Sequence, residues 1–143
     1  MILEPDALAG MDCLSATDQQ LRLDLVKFAV QTLAGMGQIT IYLDGGHARW
    51  QAASTMATRL TGAGVAMAQG FALNVSNFVL TSDNVAYGNQ ISSLIGGKHP
   101  VIDTGRNGLG PTADAQWCNP AGRALGARPT TRRAMRWWML SSG

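Results

Sequence analysis

The sequence lacks the features that mark several large protein classes. No apolar run approaches the roughly 20 residues that a membrane helix needs, and the N-terminus lacks the basic-then-apolar layout of a signal peptide. Cys13 and Cys118 lie far apart and form no CxxC motif, so one disulfide and two free thiols are both open. As written, the chain is expected to stay in the cytoplasm, with no metal, cofactor or membrane partner.

Acidic residues are missing from the C-terminal end. Residues 1–122 carry six Lys or Arg and nine acids, a net charge of −3, whereas the last 21 residues carry five arginines and no acid. The basic pI therefore belongs to the tail, and the rest of the chain gives no case for a nucleic-acid partner. An alternative in which the tail binds DNA predicts steep salt dependence. With 143 residues, 46% apolar and 14% charged, a single globular domain is expected.

Polar residues follow four short apolar runs that are typical of strands. The runs are residues 2–3, 39–43, 70–73 and 101–102, and the polar residues are Asp6, Asp44, Asn74 and Asp103. Helix-period segments lie between the runs, and this alternation predicts a parallel sheet. Ligands bind at the carboxyl ends of such strands. These four residues are therefore the first candidates for a site.

Apolar residues at helical spacing predict three helices. The first follows a capping box of Thr17 and Gln20 and ends at Gly35, the second covers about residues 49–61, and the third covers about residues 84–95. Their predicted inner faces are Leu21, Leu25, Phe28 and Thr32, then Ala52, Met56 and Leu60, then Tyr87, Ile91, Leu94 and Ile95. Beyond Asp103, repeated Gly and Pro predict a long loop, and long loops are usually functional.

Residues 42–50, YLDGGHARW, place a carboxylate, an imidazole and an indole directly after a strand. The side chains of Asp44, His47 and Trp50 are of types that are common in sugar-binding sites and in acid–base catalysis. The same pattern also fits a structural turn, in which Asp44 caps the next helix and Trp50 packs on the core.

Two further segments carry candidate ligand contacts. Asn74 and Asn77 offer amides to hydroxyl groups, and Trp117, close to Asn119, is either a lid over the core or a platform for a sugar ring. The glycine-rich segment 103–111 lacks the Lys-Ser/Thr ending of a phosphate loop, which disfavours nucleotide binding. Together these features favour a carbohydrate ligand.

Five motifs, in order, closely resemble glycoside hydrolase family 6, the β-1,4-glucanases and cellobiohydrolases of bacteria and fungi. They are LEPDAL (3–8), YLDGGH (42–47), GFALNVSNF (70–78), IDTGRNG (102–108) and WCNP (117–120). The resemblance covers about residues 1–130. It implies an α/β fold, a partial distorted (β/α) barrel of about four β/α units, and hydrolysis of β-1,4-glucosidic bonds in cellulose with inversion.

The resemblance also implies residue roles. Asp44 matches an aspartate that assists the catalytic acid, and Arg106 matches an arginine that pairs with the proposed base. The residues implied to contact β-1,4-glucan or cello-oligosaccharide are His47, Trp50, Asn74, Asn77, Trp117 and Asn119. Gly45, where the family usually has Ala, Gly105 and Leu109 depart from the pattern.

The family's acid lies upstream of Met1, and its proposed base lies in a Gly-Glu-x-Asp-Gly segment beyond Pro129. The chain is therefore expected to be an internal fragment of a secreted endo-1,4-β-glucanase, with little or no turnover. The disulfide partners of Cys13 and Cys118 fall outside it as well. The alternative is a glucan-binding or partner-completing module, to which a separately encoded N-terminal fragment supplies the acid.

Residues 1–129 are expected to be the partial catalytic domain, and residues 130–143 a non-homologous basic tail translated out of frame. Trp137-Trp138-Met139 can only be encoded as TGGTGGATG. Reading from the third base gives Val-Asp followed by Ala or Val, and the family has Asp-x-x-Val-Asp-Ala at this place. A genuine basic, partner-binding segment is the alternative.

Overall fold

A computed structural model describes residues 1–130 as a parallel sheet with helices between its strands. The strands are β1 (Ile2–Leu3), β2 (Tyr42–Asp44), β3 (Gly70–Leu73) and β4 (His99–Ile102), and they lie side by side in chain order. The helices are α1 (Ala16–Gly35), α2 (Ala53–Gly62) and α3 (Thr81–Leu94), with short 3-10 turns at Met11–Cys13 and Val65–Met67. Successive β/α units of a barrel have this strand order, so the predicted α/β alternation is confirmed.

The helix starts differ from the predicted ones. Ser15 is the N-cap of α1, and its Oγ accepts the Asp18 N–H at 3.2 Å, so the capping box at Thr17 was wrong. The helix α2 starts later than predicted because the preceding residues form a turn, closed by the Trp50 N–H to the His47 carbonyl at 3.0 Å. The helix α3 starts earlier than predicted, at Thr81.

The core lies between the sheet and one face of each helix. Its largest buried side chains include Leu43, Met56, Leu60, Phe71, Leu73 and Ile91. The inner face predicted for α1 was wrong, because Leu21, Leu25, Phe28 and Thr32 are exposed. A second apolar stripe with the same period, Leu23, Val26, Val30 and Leu33, faces the core instead. Ala52 and Leu94 were also predicted to lie inside and are exposed.

After β4 the chain forms no further helix or strand up to residue 130, as predicted. The long loop is closed at its base, where the Gly126 N–H donates to the Thr104 carbonyl at 2.8 Å and the Gly108 N–H donates to the Ala124 carbonyl at 2.9 Å. A Cβ on Gly126 would overlap the Asn107 side chain, so this close approach requires glycine.

Two further features concern the cysteines and the membrane. Cys13 and Cys118 are both exposed, and no disulfide joins them within residues 1–130. Within residues 1–130 the structure contains no helix whose length and apolar character would suit it to crossing a membrane.

Candidate active site

Hydrogen bonds join the ends of the four strands into one continuous edge. The Asp6 N–H donates to Asp44 Oδ2 at 3.0 Å, and the Asn74 N–H donates to the Gly46 carbonyl at 2.7 Å. Asn74 Nδ2 then donates to the Asp103 carbonyl at 2.9 Å. The four polar residues predicted at the strand ends therefore lie along one edge of the sheet, as the alternation of strands and helices implies.

Asp44 is the most buried ionisable group of this edge, with 1% of its surface exposed. Its Oδ2 accepts the backbone N–H groups of Asp6 and Gly46 at 3.0 and 3.1 Å, while its Oδ1 is buried without a partner among the described residues. Burial raises the pKa of Asp44 to about 6, against the opposing effect of the two N–H bonds. The cap of α2 is Ala52 without a side-chain bond, so the capping role proposed for Asp44 was wrong.

His47 and Trp50 form a tilted aromatic pair, with ring centroids 5.5 Å apart and an interplanar angle of 40°. The indole packs on backbone, since Cβ atoms built on Gly46 and Gly10 would lie 3.4 and 3.7 Å from it. It remains 41% exposed, so Trp50 packs against these two segments without being part of the buried core. Burial lowers the pKa of His47, with Asp6 acting in the opposite direction, which favours a neutral imidazole near pH 7.

Asn74 and Asn77 occupy different environments. Asn74 is fully buried, has a left-handed φ of 65°, and donates to the carbonyls of Asp103 and Asn77 at 2.9 and 3.4 Å. A direct contact with a sugar would require its side chain to leave these partners. Asn77 is half-buried and its Oδ1 accepts the Phe78 N–H at 2.8 Å, which leaves its Nδ2 for a ligand.

Asp103 is committed to the backbone as well. Its two carboxylate oxygens accept the N–H groups of Ser76 and Gly105 at 2.8 and 2.7 Å. These bonds fold the two loops after β3 and β4 against each other. Asp103 therefore shapes the edge of the sheet, with each of its carboxylate oxygens accepting one backbone N–H bond.

The long loop carries Arg106, Trp117 and Asn119. The guanidinium carbon of Arg106 lies 5.9 Å from the centroid of the Phe78 ring, and the ion pairs found within residues 1–130 do not include Arg106. Trp117 is 79% exposed and Asn119 is exposed, so the alternative of Trp117 as a lid over the core was wrong. Within residues 1–130, Arg106 thus has no carboxylate partner, and the exposed indole of Trp117 lies on the same loop.

Sequence reasoning missed two buried asparagines that hold the site loops in place. Asn84 accepts the Ala48 N–H at 3.2 Å and donates to the Val79 carbonyl at 3.1 Å. Asn107 donates to the same carbonyl at 2.9 Å and to Thr81 Oγ1 at 3.0 Å. Asn84 falls on the apolar stripe of α3, and a polar residue at such a position was the available signal. Asn107 lies in a glycine-rich loop, where no feature of the sequence marked it as buried.

A parallel sheet in chain order, with polar groups along its carboxyl edge, is the arrangement found in part of a (β/α) barrel domain. The model of the glycosyl hydrolases family 6 matches residues 1–137, and the chain belongs to this family. The resemblance read from the five motifs is therefore confirmed, and so is a fold that forms part of a distorted barrel.

Individual relatives agree with this assignment. Endoglucanase A of Cellulomonas fimi is 49% identical over 130 residues, which are 90% of this chain and 28% of that protein. The structure of the endoglucanase Cel6 from Mycobacterium tuberculosis, in complex with methyl-cellobiosyl-4-deoxy-4-thio-β-D-cellobioside, is 56% identical, with a TM-score of 0.89 over 93% of this chain and 46% of that chain. A family 6 enzyme of Orpinomyces sp. Y102 is 26% identical, with a TM-score of 0.78 over the same shares.

The chain spans less than half the length of these relatives. The family match continues to residue 137, past the predicted domain boundary at residue 129. Almost all of the predicted basic tail, from residue 131 onward, lies outside the described residues. The boundary and the out-of-frame translation of the tail therefore stay predictions.

Proposed function

We propose that this chain carries part of the β-1,4-glucan site of a family 6 endoglucanase and does not hydrolyse glucan by itself. The observation that carries the proposal is the buried Asp44 carboxyl, with its pKa raised to about 6, in the same strand-to-helix segment as the His47–Trp50 pair. A partly exposed indole on packed backbone suits stacking of a sugar ring. Secretion belongs to the same proposal, since an insoluble polymer is reached only outside the cell.

Hydrolysis with inversion needs two carboxyl groups with different roles, and we propose that the described site does not supply both. One is an acid that protonates the leaving oxygen, and the other is a base that activates water, with the two carboxyl groups about 6.5–9.5 Å apart. Asp44 can retain a proton at mildly acidic pH and is suited to assisting an acid, but Asp103 uses both oxygens on backbone N–H groups. Arg106 has no carboxylate partner within residues 1–130, as expected if the base belongs to another segment.

A glucan-binding or partner-completing module is the second candidate function. The exposed indole of Trp117 favours it, because a stacking platform needs no catalytic carboxylate to bind a sugar. In this case the proposed acid comes from a separately encoded N-terminal fragment. The two candidates predict the same behaviour for the isolated chain and differ once such a fragment is added.

The purified chain is expected to release no reducing sugar from carboxymethylcellulose above the blank. Loss of general acid catalysis alone typically costs about 10²–10⁴-fold in rate, and here the base is expected to be absent too. Reducing-sugar release would be measured for the wild type and for Asp44→Asn. Turnover that disappears in Asp44→Asn would contradict the proposal and would make Asp44 itself a catalytic group.

Cello-oligosaccharides are expected to bind weakly, and Trp50→Ala and Trp117→Ala should each reduce the affinity by about tenfold through loss of a stacking face. Isothermal calorimetry measures the affinities, and thermal unfolding checks that each variant is folded. Leu125→Ala is the matched control, because Leu125 is an exposed apolar residue of the same loop as Trp117. Equal affinities for all four proteins would remove both indoles from the proposed site.

A further inference from the structure

The loop that follows β1, residues 4–13 and here called the β1 loop, contacts two groups of the candidate site. Its Asp6 N–H donates to Asp44 Oδ2 at 3.0 Å. A Cβ atom built on Gly10 would lie 3.7 Å from the ring of Trp50. The β1 loop thus supplies one of the two donors to the buried carboxyl group and part of the backbone against which the indole packs. Its position therefore bears on both groups.

The backbone of the β1 loop is not in a relaxed conformation. Glu4 and Asp6 have left-handed φ values of 51° and 66°. Residues other than glycine avoid this region and keep it only where surrounding contacts hold them there. Within the loop, the Ala7 N–H donates to the Glu4 carbonyl at 3.2 Å and the Gly10 N–H donates to the Asp6 carbonyl at 2.8 Å. These bonds close two turns but do not attach them to the helices.

Arg59 makes three of the hydrogen bonds that attach the β1 loop to α2. From the last turn of this helix, its Nη1 donates to the carbonyls of Leu8 and Ala9 at 2.9 and 3.3 Å, and its Nη2 pairs with the Asp12 carboxylate. An arginine at this place in a helix commonly bonds the free carbonyls of its own last turn. The side chain of Arg59 is 11% exposed and bonds a different segment instead. The guanidinium is therefore held between the helix and the loop.

Gln51 connects the same loop to the residue next to Trp50. Its Nε2 donates to the Ala9 carbonyl at 2.9 Å and to the Asp12 carboxylate. Hydrogen bonds from Arg59 and then from Gln51 lower the pKa of Asp12, so this carboxylate stays ionised at mildly acidic pH. Arg59, Asp12 and Gln51 form one network, here called the clamp. The clamp joins the β1 loop both to α2 and to the segment that carries the indole.

We propose that Arg59 is a positioning residue of the candidate site, which acts by fixing the β1 loop against α2. In this position of the loop, the Asp6 N–H reaches Asp44 and the Gly10 backbone supports the indole of Trp50. The part of the proposal that concerns Trp50 rests on the proposed glucan site. The part that concerns Asp44 is a property of the folded chain and can be measured without a sugar.

Amide exchange measured by NMR tests the part that concerns Asp44, because its Oδ2 accepts N–H bonds from two segments. The Asp6 N–H belongs to the β1 loop, and the Gly46 N–H does not. Arg59→Met removes the donors and should speed exchange at Asp6 about tenfold relative to Gly46, since a released segment opens locally. Arg59→Lys keeps the charge but not the fork of the guanidinium. It should shift the ratio in the same direction, and it decides the outcome if Arg59→Met does not fold.

Arg49→Met is the matched control for the exchange measurement. Arg49 lies next to Trp50, but its side chain pairs with Asp83 at 3.4 Å and is 56% exposed. The control should leave the ratio of the two exchange rates unchanged. The same unchanged ratio in both Arg59 variants would overturn the proposal. Equal acceleration at Asp6, at Gly46 and in the core would overturn it too, because Arg59 would then contribute only to overall stability.

The affinity for cello-oligosaccharides, measured by calorimetry, tests the part that concerns Trp50. Arg59→Met should lower the affinity about tenfold, as Trp50→Ala does, and should not lower the affinity of Trp50→Ala further, because the stacking face is already absent. An unchanged affinity, or full additivity of the two substitutions, would contradict positioning of Trp50 by Arg59. Absence of binding by the wild type would contradict the proposed glucan site, and the exchange measurement would still decide the role of Arg59.

Discussion

Replacing Asp44 by Asn is expected to change the pH dependence of stability by about 3 kcal/mol between pH 4 and pH 8. The pKa of Asp44 is about 6 in the folded chain, against an ordinary value of 3.8. Between these values the native state keeps a proton that the unfolded chain has released, so stability falls as the pH rises from about 4 to about 6. A shift of about two pKa units corresponds to about 3 kcal/mol.

Asn cannot ionise, and its oxygen can accept the same two backbone N–H bonds. The stability of the variant therefore does not fall over this pH range. The wild type should therefore weaken relative to Asp44→Asn up to about pH 6 and run parallel to it at higher pH. Urea unfolding at several pH values measures the difference. Asp114→Asn is a control of opposite sign, because side-chain hydrogen bonds with Thr112 and Gln116 lower the pKa of the exposed Asp114. A pH-independent difference for Asp44→Asn would show that folding does not raise the pKa of Asp44.

Replacing Gly70 by Ala is expected to destabilise the protein by about 3 kcal/mol or more, which is a large part of the free energy of unfolding of an ordinary domain. A Cβ at this first residue of β3 would overlap the carbonyl oxygen of His99 in β4. The two strands pair at this point, so β4 would have to move, and the bond between the Asp103 N–H and the Leu73 carbonyl would move with it.

The midpoint of urea unfolding measures the effect of Gly70→Ala. Gly35→Ala is the matched control, since a Cβ at the end of α1 meets nothing within 4 Å. It should be neutral or slightly stabilising, as alanine favours a helix over glycine by up to about 1 kcal/mol. Equal midpoints for Gly70→Ala and the wild type would show that the contact between β3 and β4 is looser than the structure indicates.

Much of the fold could be predicted because the relevant signals are local. Each strand is a short apolar run that ends at a polar residue, and Asp44 and Asn74 lie at the ends of two of them. Parallel strands joined by helices bring such ends to one edge, whatever the details of packing. The position of the candidate site thus followed from the alternation of strands and helices and from the polar residues at the strand ends.

The inner face of α1 could not be predicted, because the helix carries two apolar stripes with one period. Leu21, Leu25 and Phe28 repeat as regularly as Val26 and Val30 do. Periodicity identifies an amphipathic helix but does not rank two apolar faces. Contact with α2 and the sheet selected the second stripe, and the first was left exposed.

The sequence by itself determined the class of fold, the family, and the edge of the sheet that holds Asp44, since these depend on residue order and local chemistry. Only the tertiary structure decided what each polar residue does there. Asp103 and Asn74 look like ligand contacts in the chain, yet their hydrogen bonds go to backbone groups of neighbouring loops. Which partners a polar group finds depends on segments far apart in sequence, and burial by those same segments raises the pKa of Asp44.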